Sequence, residues 1–285
     1  MNGSTFVHQG CVYSSDDDFL RMAVPFIDEG LRREEPVLVT TTPVNLGLVQ
    51  TALGRHARNV DYAESAFFGR RPPQRVAAFT GYRHRHPGAE RVRILAEPVW
   101  AGRSARQVEA WECMDSALNA VLAGTDVAAS SGYTEPVAFV RGRAAPLAAR
   151  PDDAVTVPCT GDPARMRHTV VLETALLGLA GERLMIFAAA VGELLIGVSG
   201  AGGRRPSVAL WGRPGEVVCD VDLPATASLD PFIGLHPPTL DPRPGDGVWL
   251  ARQICDHLDV RSGPGGTTIR LHTPTLRDTE GGAGA

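Results

Sequence analysis

The 285-residue chain contains no lysine; all 28 of its basic residues are arginine. A Walker-type P-loop needs a lysine after a glycine-rich turn, and neither is present. The place to look for one is Thr41-Thr42-Pro43-Val44-Asn45, between an apolar strand at 36–40 and a helix through Leu46, Val49 and Leu53. Five cysteines (Cys11, Cys113, Cys159, Cys219, Cys255) are odd in number, widely spaced and free of any Cys-x-x-Cys, so neither a disulfide framework nor a metal site is expected. No apolar run reaches the ~18 residues of a membrane helix, and Met1-Asn2-Gly3-Ser4-Thr5 lacks the basic and apolar parts of a secretory signal. The expectation is a reduced cytoplasmic protein with no membrane contact. Positive charge is not in excess either. The net charge is −4, with 17 Arg against 16 acids in residues 1–150 and 11 against 16 in 151–285, which argues against direct nucleic-acid binding.

What remains is an ordinary globular composition, 44% apolar and 21% charged, long enough for about two domains. Ser14-Ser15-Asp16-Asp17-Asp18 supplies a helix cap and first-turn acids ahead of Phe19, Leu20, Ala23, Phe26, Ile27 and Leu31 on one face. Further strands are expected at 60–62 and 92–96, and a helix near 104–122; the run 75–79 fits helix or strand. His84 and His86, among arginines, read as a solvated basic loop. Alternating strands and helices predict an α/β domain with a mostly parallel sheet. Five prolines between 136 and 163 mark a junction, giving a first domain at 1–141, a linker at 142–152, a second domain at 153–273 and a tail at 274–285. The second domain reads as two helices (165–178, 182–198), two strands (207–211, 217–221), a Pro-rich loop (223–244), a helix, and two more strands around Gly263-Pro264-Gly265-Gly266.

In the first domain, several features together resemble the MEDS sensory family. They are His8 with Tyr13, Asp18-Phe19-Leu20, Pro25-Phe26, Glu97-Pro98-Val99-Trp100 followed by Gly102-Arg103-Ser104, Glu112, and Leu118-Asn119. The resemblance covers roughly 6–138 and implies a P-loop-like (RecA-like) three-layer domain that senses a small ligand without hydrolysing nucleotide. Two positions depart from the pattern: Met114-Asp115 replaces a His-Glu pair, and Ser131-Gly132-Tyr133-Thr134 replaces Cys-Pro-Tyr-Asp. His8, Tyr13, Glu97, Trp100, Asp115 and Asn119 are the candidate sensory pocket. Each also has a plain structural reading: a hydrogen-bonded histidine, a satisfied loop acid, a core tryptophan, an Asp115–Asn119 pair on one helix face.

The second domain resembles a GHKL-type ATPase domain of the anti-sigma factor and serine kinase branch. The resemblance rests on Gly245-x-Gly247-Val248-Trp249-Leu250-Ala251, then helix, strand, Gly265-Gly266-Thr267-Thr268 and strand. It implies a Bergerat-type two-layer α/β sandwich. Its Glu-x-x-x-Asn helix motif keeps Glu193, but Gly197 stands in the Mg²⁺-binding position, where a side-chain oxygen is required. Ala201 stands where a histidine is common. The adenine motif Asp-x-Gly falls on Leu223 and Ala225, with Asp222 one residue away and Pro224 between. Asp222, Gly245, Gly247, Gly266, Thr267 and Thr268 are left as remnants of nucleotide contacts, although the glycines also suit helix and hairpin geometry. No cofactor is expected.

The two resemblances together imply a cytoplasmic regulator of transcription. It would be anti-sigma-like or partner-switching, meeting a sigma factor or an anti-sigma factor antagonist, with an unidentified small-molecule ligand at the first domain. Two alternatives stay open: an active serine kinase using ATP and Mg²⁺ through Glu193, and a ligand-sensing dimerisation module, so homodimerisation is open too.

Overall fold

The computed structural model describes residues 7–122, 135–143, 146–157, 159, 162–198, 206–224, 229–238 and 245–275. Ser131–Thr134, Ala201, Ala225 and the tail from 276 onward lie outside the described residues. The chain divides into two compact units, 1–140 and 141–285. Among the described residues, no helix is long and apolar enough to cross a membrane.

The first unit is a three-layer α/β arrangement. Strands β1 (Val37–Thr41), β2 (Asp61–Glu64) and β3 (Arg93–Ala96) form a parallel sheet in the order β2-β1-β3. Helix α1 (Asp16–Arg32) starts where Ser15 accepts from the Asp18 amide, with three acids in its first turn facing the positive end of the helix dipole. It packs with α2 (Pro43–Leu53) against the face carrying Val37 and Val39. Helices α3 (Pro72–Arg85) and α4 (Ala105–Val121) cover the other face through Val76, Phe79, Trp111, Met114 and Leu118, with Ile94 against them. The ambiguous run at 75–79 is therefore helical; Pro72-Pro73 at the helix start is the local signal that decides it. Helix α5 (Pro136–Arg143) runs across the division between the units.

The second unit is a two-layer sandwich. Strands β4 (Val155–Val157), β5 (Ser207–Arg213), β6 (Glu216–Leu223), β7 (His257–Gly263) and β8 (Gly266–Pro274) make an antiparallel sheet in the order β4-β5-β6-β8-β7. Period-two alternation sends Val208, Leu210, Val217, Cys219, Val221, Ile269 and Leu271 to one face. Helices α6 (Pro163–Leu176), α7 (Gly181–Val198) and α8 (Asp246–Ile254) close over that face. The opposite face carries polar residues paired across strands beside Trp211 and Val218: Arg270 lies over Trp211 and makes two hydrogen bonds to Asp220 at 2.6 and 2.8 Å. Residues 146–150, expected to be linker, lie on this polar face. The Ala148 carbonyl accepts from Arg270 at 2.7 Å, and Arg150 pairs with Asp220 and Asp222. Strand β8 also extends through Pro274, which pairs with Glu216, so the first residue assigned to the tail belongs to the sheet.

Candidate functional site

In the first unit, β1 is followed by a helix on one face and β3 by a helix on the other. Their carboxyl ends therefore flank the switch point where open α/β sheets hold ligands. Four side chains converge there. Thr41 ends β1, Asn45 stands in the first turn of α2, Glu97 follows β3, and Tyr13 comes from the extended segment before α1. Tyr13 and Thr41 donate to opposite oxygens of the Glu97 carboxylate. Asn45 Nδ2 reaches Glu97 Oε2 at 3.0 Å and the Tyr13 oxygen at 2.9 Å. Burial raises the Tyr13 pKa and the Glu97 contact raises it further, so the phenol stays a donor at neutral pH. Thr41 and Asn45 are buried; Tyr13 and Glu97 are half-buried. Backbone bonds lock the frame, with Glu97 N–H donating to Thr40 and Ser65 N–H to Thr41, both at 2.9 Å. The Ser65 hydroxyl also donates to the Glu97 carbonyl.

Residues 7–138 match the MEDS family, described as the MEthanogen/methylotroph, DcmR Sensory domain. The match covers the whole constellation just described, and a MEDS sensory domain suggests a ligand-sensing, regulatory role. No curated protein matches the chain.

Within the MEDS unit, the remaining candidates lie apart from the Glu97 network. His8 Nε2 sits 3.5 Å from Asp115 Oδ1, with the Asp115 side chain largely exposed. Trp100 is 48% exposed, so it is not a core residue. Asn119 is half-buried on α4, and among the described residues no hydrogen bond joins it or Trp100 to Tyr13 or Glu97. Thr41 and Asn45 were not singled out in the sequence. Thr42 carries the visible signal there, capping α2 through the Asn45 amide, and it masks the role of Asn45's own side chain.

In the second unit, the remnant nucleotide residues fall into two groups. Glu193, Gly245 and Gly247 belong to the α7–α8 contact. A Cβ built on Gly247 would lie 1.9 Å from the Glu193 carbonyl oxygen, and one on Gly197 would lie 2.9 Å from both Gly247 Cα and Val248 N. The helices thus touch backbone to backbone. The Gly245 N–H, which a glycine-flanked helix start would offer to an anion, donates to the Gly197 carbonyl at 3.2 Å instead. Arg252 fastens the 231–234 turn over α8, its Nε donating to the Ile233 carbonyl at 2.8 Å. No hydrogen bond or ion pair engages the Glu193 carboxylate among the described residues.

The second group lies on the sheet. Asp222 points to the polar face, held by Arg150 and by the Thr268 hydroxyl at 2.7 Å, whereas Leu223 is buried in the core. Thr267 faces the other way and pairs with Ser262 at 2.8 Å. Asp222, Gly266, Thr267 and Thr268 line an open cavity of about 410 Å³ with Leu147 and Arg261. Among the described residues, no group of three or more His, Cys, Asp or Glu side chains is placed to hold a metal ion.

Proposed function

We propose that this protein is a cytoplasmic regulator of transcription that acts by protein–protein binding. Its MEDS unit reads a small molecule, and its second unit is a GHKL-type domain that has lost ATP and Mg²⁺ binding. That second unit clamps a sigma factor or an anti-sigma factor antagonist, in the manner the resemblance implies, without phosphorylating it. The observation that carries the reading is the Gly197–Gly247 contact. A side chain at position 197 would run into the backbone of Gly247 and Val248, which supports a steric as well as a chemical obstacle to an asparagine ligand there. The burial of Leu223 and the engagement of Asp222 by Arg150 support the same reading for adenine.

Calorimetric titration of the full chain with ATP and Mg²⁺ should give no binding heat at submillimolar concentration. Pull-down from the native cytoplasm should recover a sigma factor or its antagonist. Replacing Gly197→Asn, Leu223→Asp and Ala225→Gly together should not restore phosphotransfer fully. The asparagine side chain at position 197 would collide with α8, and the carboxylate at position 223 would be buried in the core. Micromolar ATP affinity, or full phosphotransfer by the triple variant, would promote the serine-kinase alternative.

A further inference from the structure

On the α3–α4 face of the MEDS unit, two arginines share one tryptophan. The Arg75 guanidinium lies 5.1 Å from the Trp111 ring centre and that of Arg103 lies 4.3 Å from it. Arg75 is only 1% exposed, yet neither arginine has a carboxylate partner among the described residues. Arg75 donates to the Ser65 carbonyl at 2.7 Å and the Ser65 hydroxyl at 3.1 Å, and Arg103 to the Val99 carbonyl. Neutral partners leave the charges themselves uncompensated, and a buried cation without a counter-charge is costly.

The placement adds to that cost. Arg75 stands in the first turn of α3, which holds no acid there, so a cation faces the positive end of the helix dipole. Burial first, and then the charge of the nearby Arg103, together depress the Arg75 pKa to about 10. Two buried donors complete the picture: among the described residues, the Trp111 indole N–H and the Thr40 hydroxyl have no hydrogen-bond partner. Thr40, the residue before the end of β1, faces opposite to Thr41, toward the face that α3 and α4 cover. The loops that follow β2 and β3 at this end of the sheet carry the exposed aromatics Phe67 and Trp100.

We infer that Arg75, Arg103 and the Trp111 indole form an anion site, and that the small molecule sensed by this unit carries a carboxylate or phosphate group. The inference rests on the sensory reading only in treating the anion as a signal; the site itself follows from two arginines that have no counter-charge among the described residues, beside an indole N–H. Ser65 connects the site to the Glu97 network. Its hydroxyl accepts from Arg75 and donates to the Glu97 carbonyl, while the Glu97 carboxylate stays on the opposite face, saturated by three donors.

The test uses the full chain labelled with ¹⁵N, with the Trp111 indole resonance assigned through Trp111→Phe. Sodium phosphate and sodium acetate are titrated separately against sodium chloride of equal ionic strength. A saturable shift of the Trp111 resonance is expected with at least one of the two, and which one assigns the group. Arg103→Gln, at a half-exposed position, should weaken that binding at least about tenfold while the other indole resonances stay in place. A shift of equal size with chloride, no saturable shift with either anion, or full binding by Arg103→Gln would overturn the site. Binding that leaves partner association unchanged would keep the site and overturn the sensory reading instead.

Discussion

The contact between α7 and α8 can be tested with a single methyl group. In Gly247→Ala, the new carbon would fall 1.9 Å from the Glu193 carbonyl oxygen, 2.8 Å from the Gly197 nitrogen and 2.9 Å from the Glu193 carbonyl carbon. All three are backbone atoms of a packed helix, so no side chain can rotate out of the way. Helix α8 would have to retreat by about 1 Å, opening a gap beneath Val248 and Ala251, both fully buried. Overpacking of this kind costs 1–3 kcal/mol, and a clash confined to backbone belongs at the upper end, about 3 kcal/mol. In a unit of this size that corresponds to a melting point lower by roughly 6–12 °C. The control is Gly192→Ala on the same helix α7. There the added carbon meets only Arg167, at an ordinary 3.6 Å, and better helix propensity should stabilise by about 0.5–1 kcal/mol. Thermal unfolding followed by far-ultraviolet circular dichroism, with Trp249 fluorescence as the local probe on α8, reads both. If Gly247→Ala melts with the wild type, or Gly192→Ala falls as far, the backbone contact is not what holds these helices together.

Asn45→Ala removes two hydrogen bonds, one to a carboxylate, and should lower stability by about 2 kcal/mol in urea unfolding while speeding proteolysis of the segment before α1. Burial pushes the Asp259 carboxyl up, but the bond from His257 and the charges of His257, Arg261 and His272 hold it well below the ordinary carboxylate range. A depressed carboxylate stabilises the fold above its unfolded pKa of about 3.9 and loses that contribution as the pH falls further. Asp259→Asn should therefore cost about 2 kcal/mol at neutral pH and flatten the acid limb of the stability curve below about pH 4, as acid-titrated circular dichroism would register. Thiol labelling should find Cys11 first, since it is exposed. Cys219, buried and with its thiol pKa pushed well up by burial, should react only on unfolding; early labelling of Cys219 would contradict its place in the core.

Most elements of both units follow from apolar pattern: amphipathic helices such as α1 repeat one face, and β1, buried at all five positions, opens as a short continuous apolar run. Strands β5 to β8 are an example: alternation at 207–211 and 267–272 gives both the core face and the polar face. What periodicity cannot supply is the fate of polar residues. Arg75 opens a run that fits helix or strand, and only the fold encloses it with Phe68, Phe79 and Trp111. Asn45 looks like part of a helix cap until β3 brings Glu97 alongside. Gly197 reads as a missing oxygen ligand; that it admits another helix depends on a residue 50 positions away. The stretch 146–150 has the composition of a spacer, and its docking rests on the Ala148 carbonyl and the Arg150 side chain, neither of which leaves a pattern.

The sheet of the second unit has a further consequence at its margins. An edge strand normally offers a row of unpaired amides and carbonyls on which another chain can build. Here one edge, β4, is three residues long, and the other, β7, carries His257, Asp259 and Arg261 along one side, the last two joined by an ion pair at 3.2 Å. Shortness and charge are two of the means by which natural sheets discourage strand addition and the aggregation that follows from it. Both edges of this sheet are thus built to disfavour the addition of a further strand.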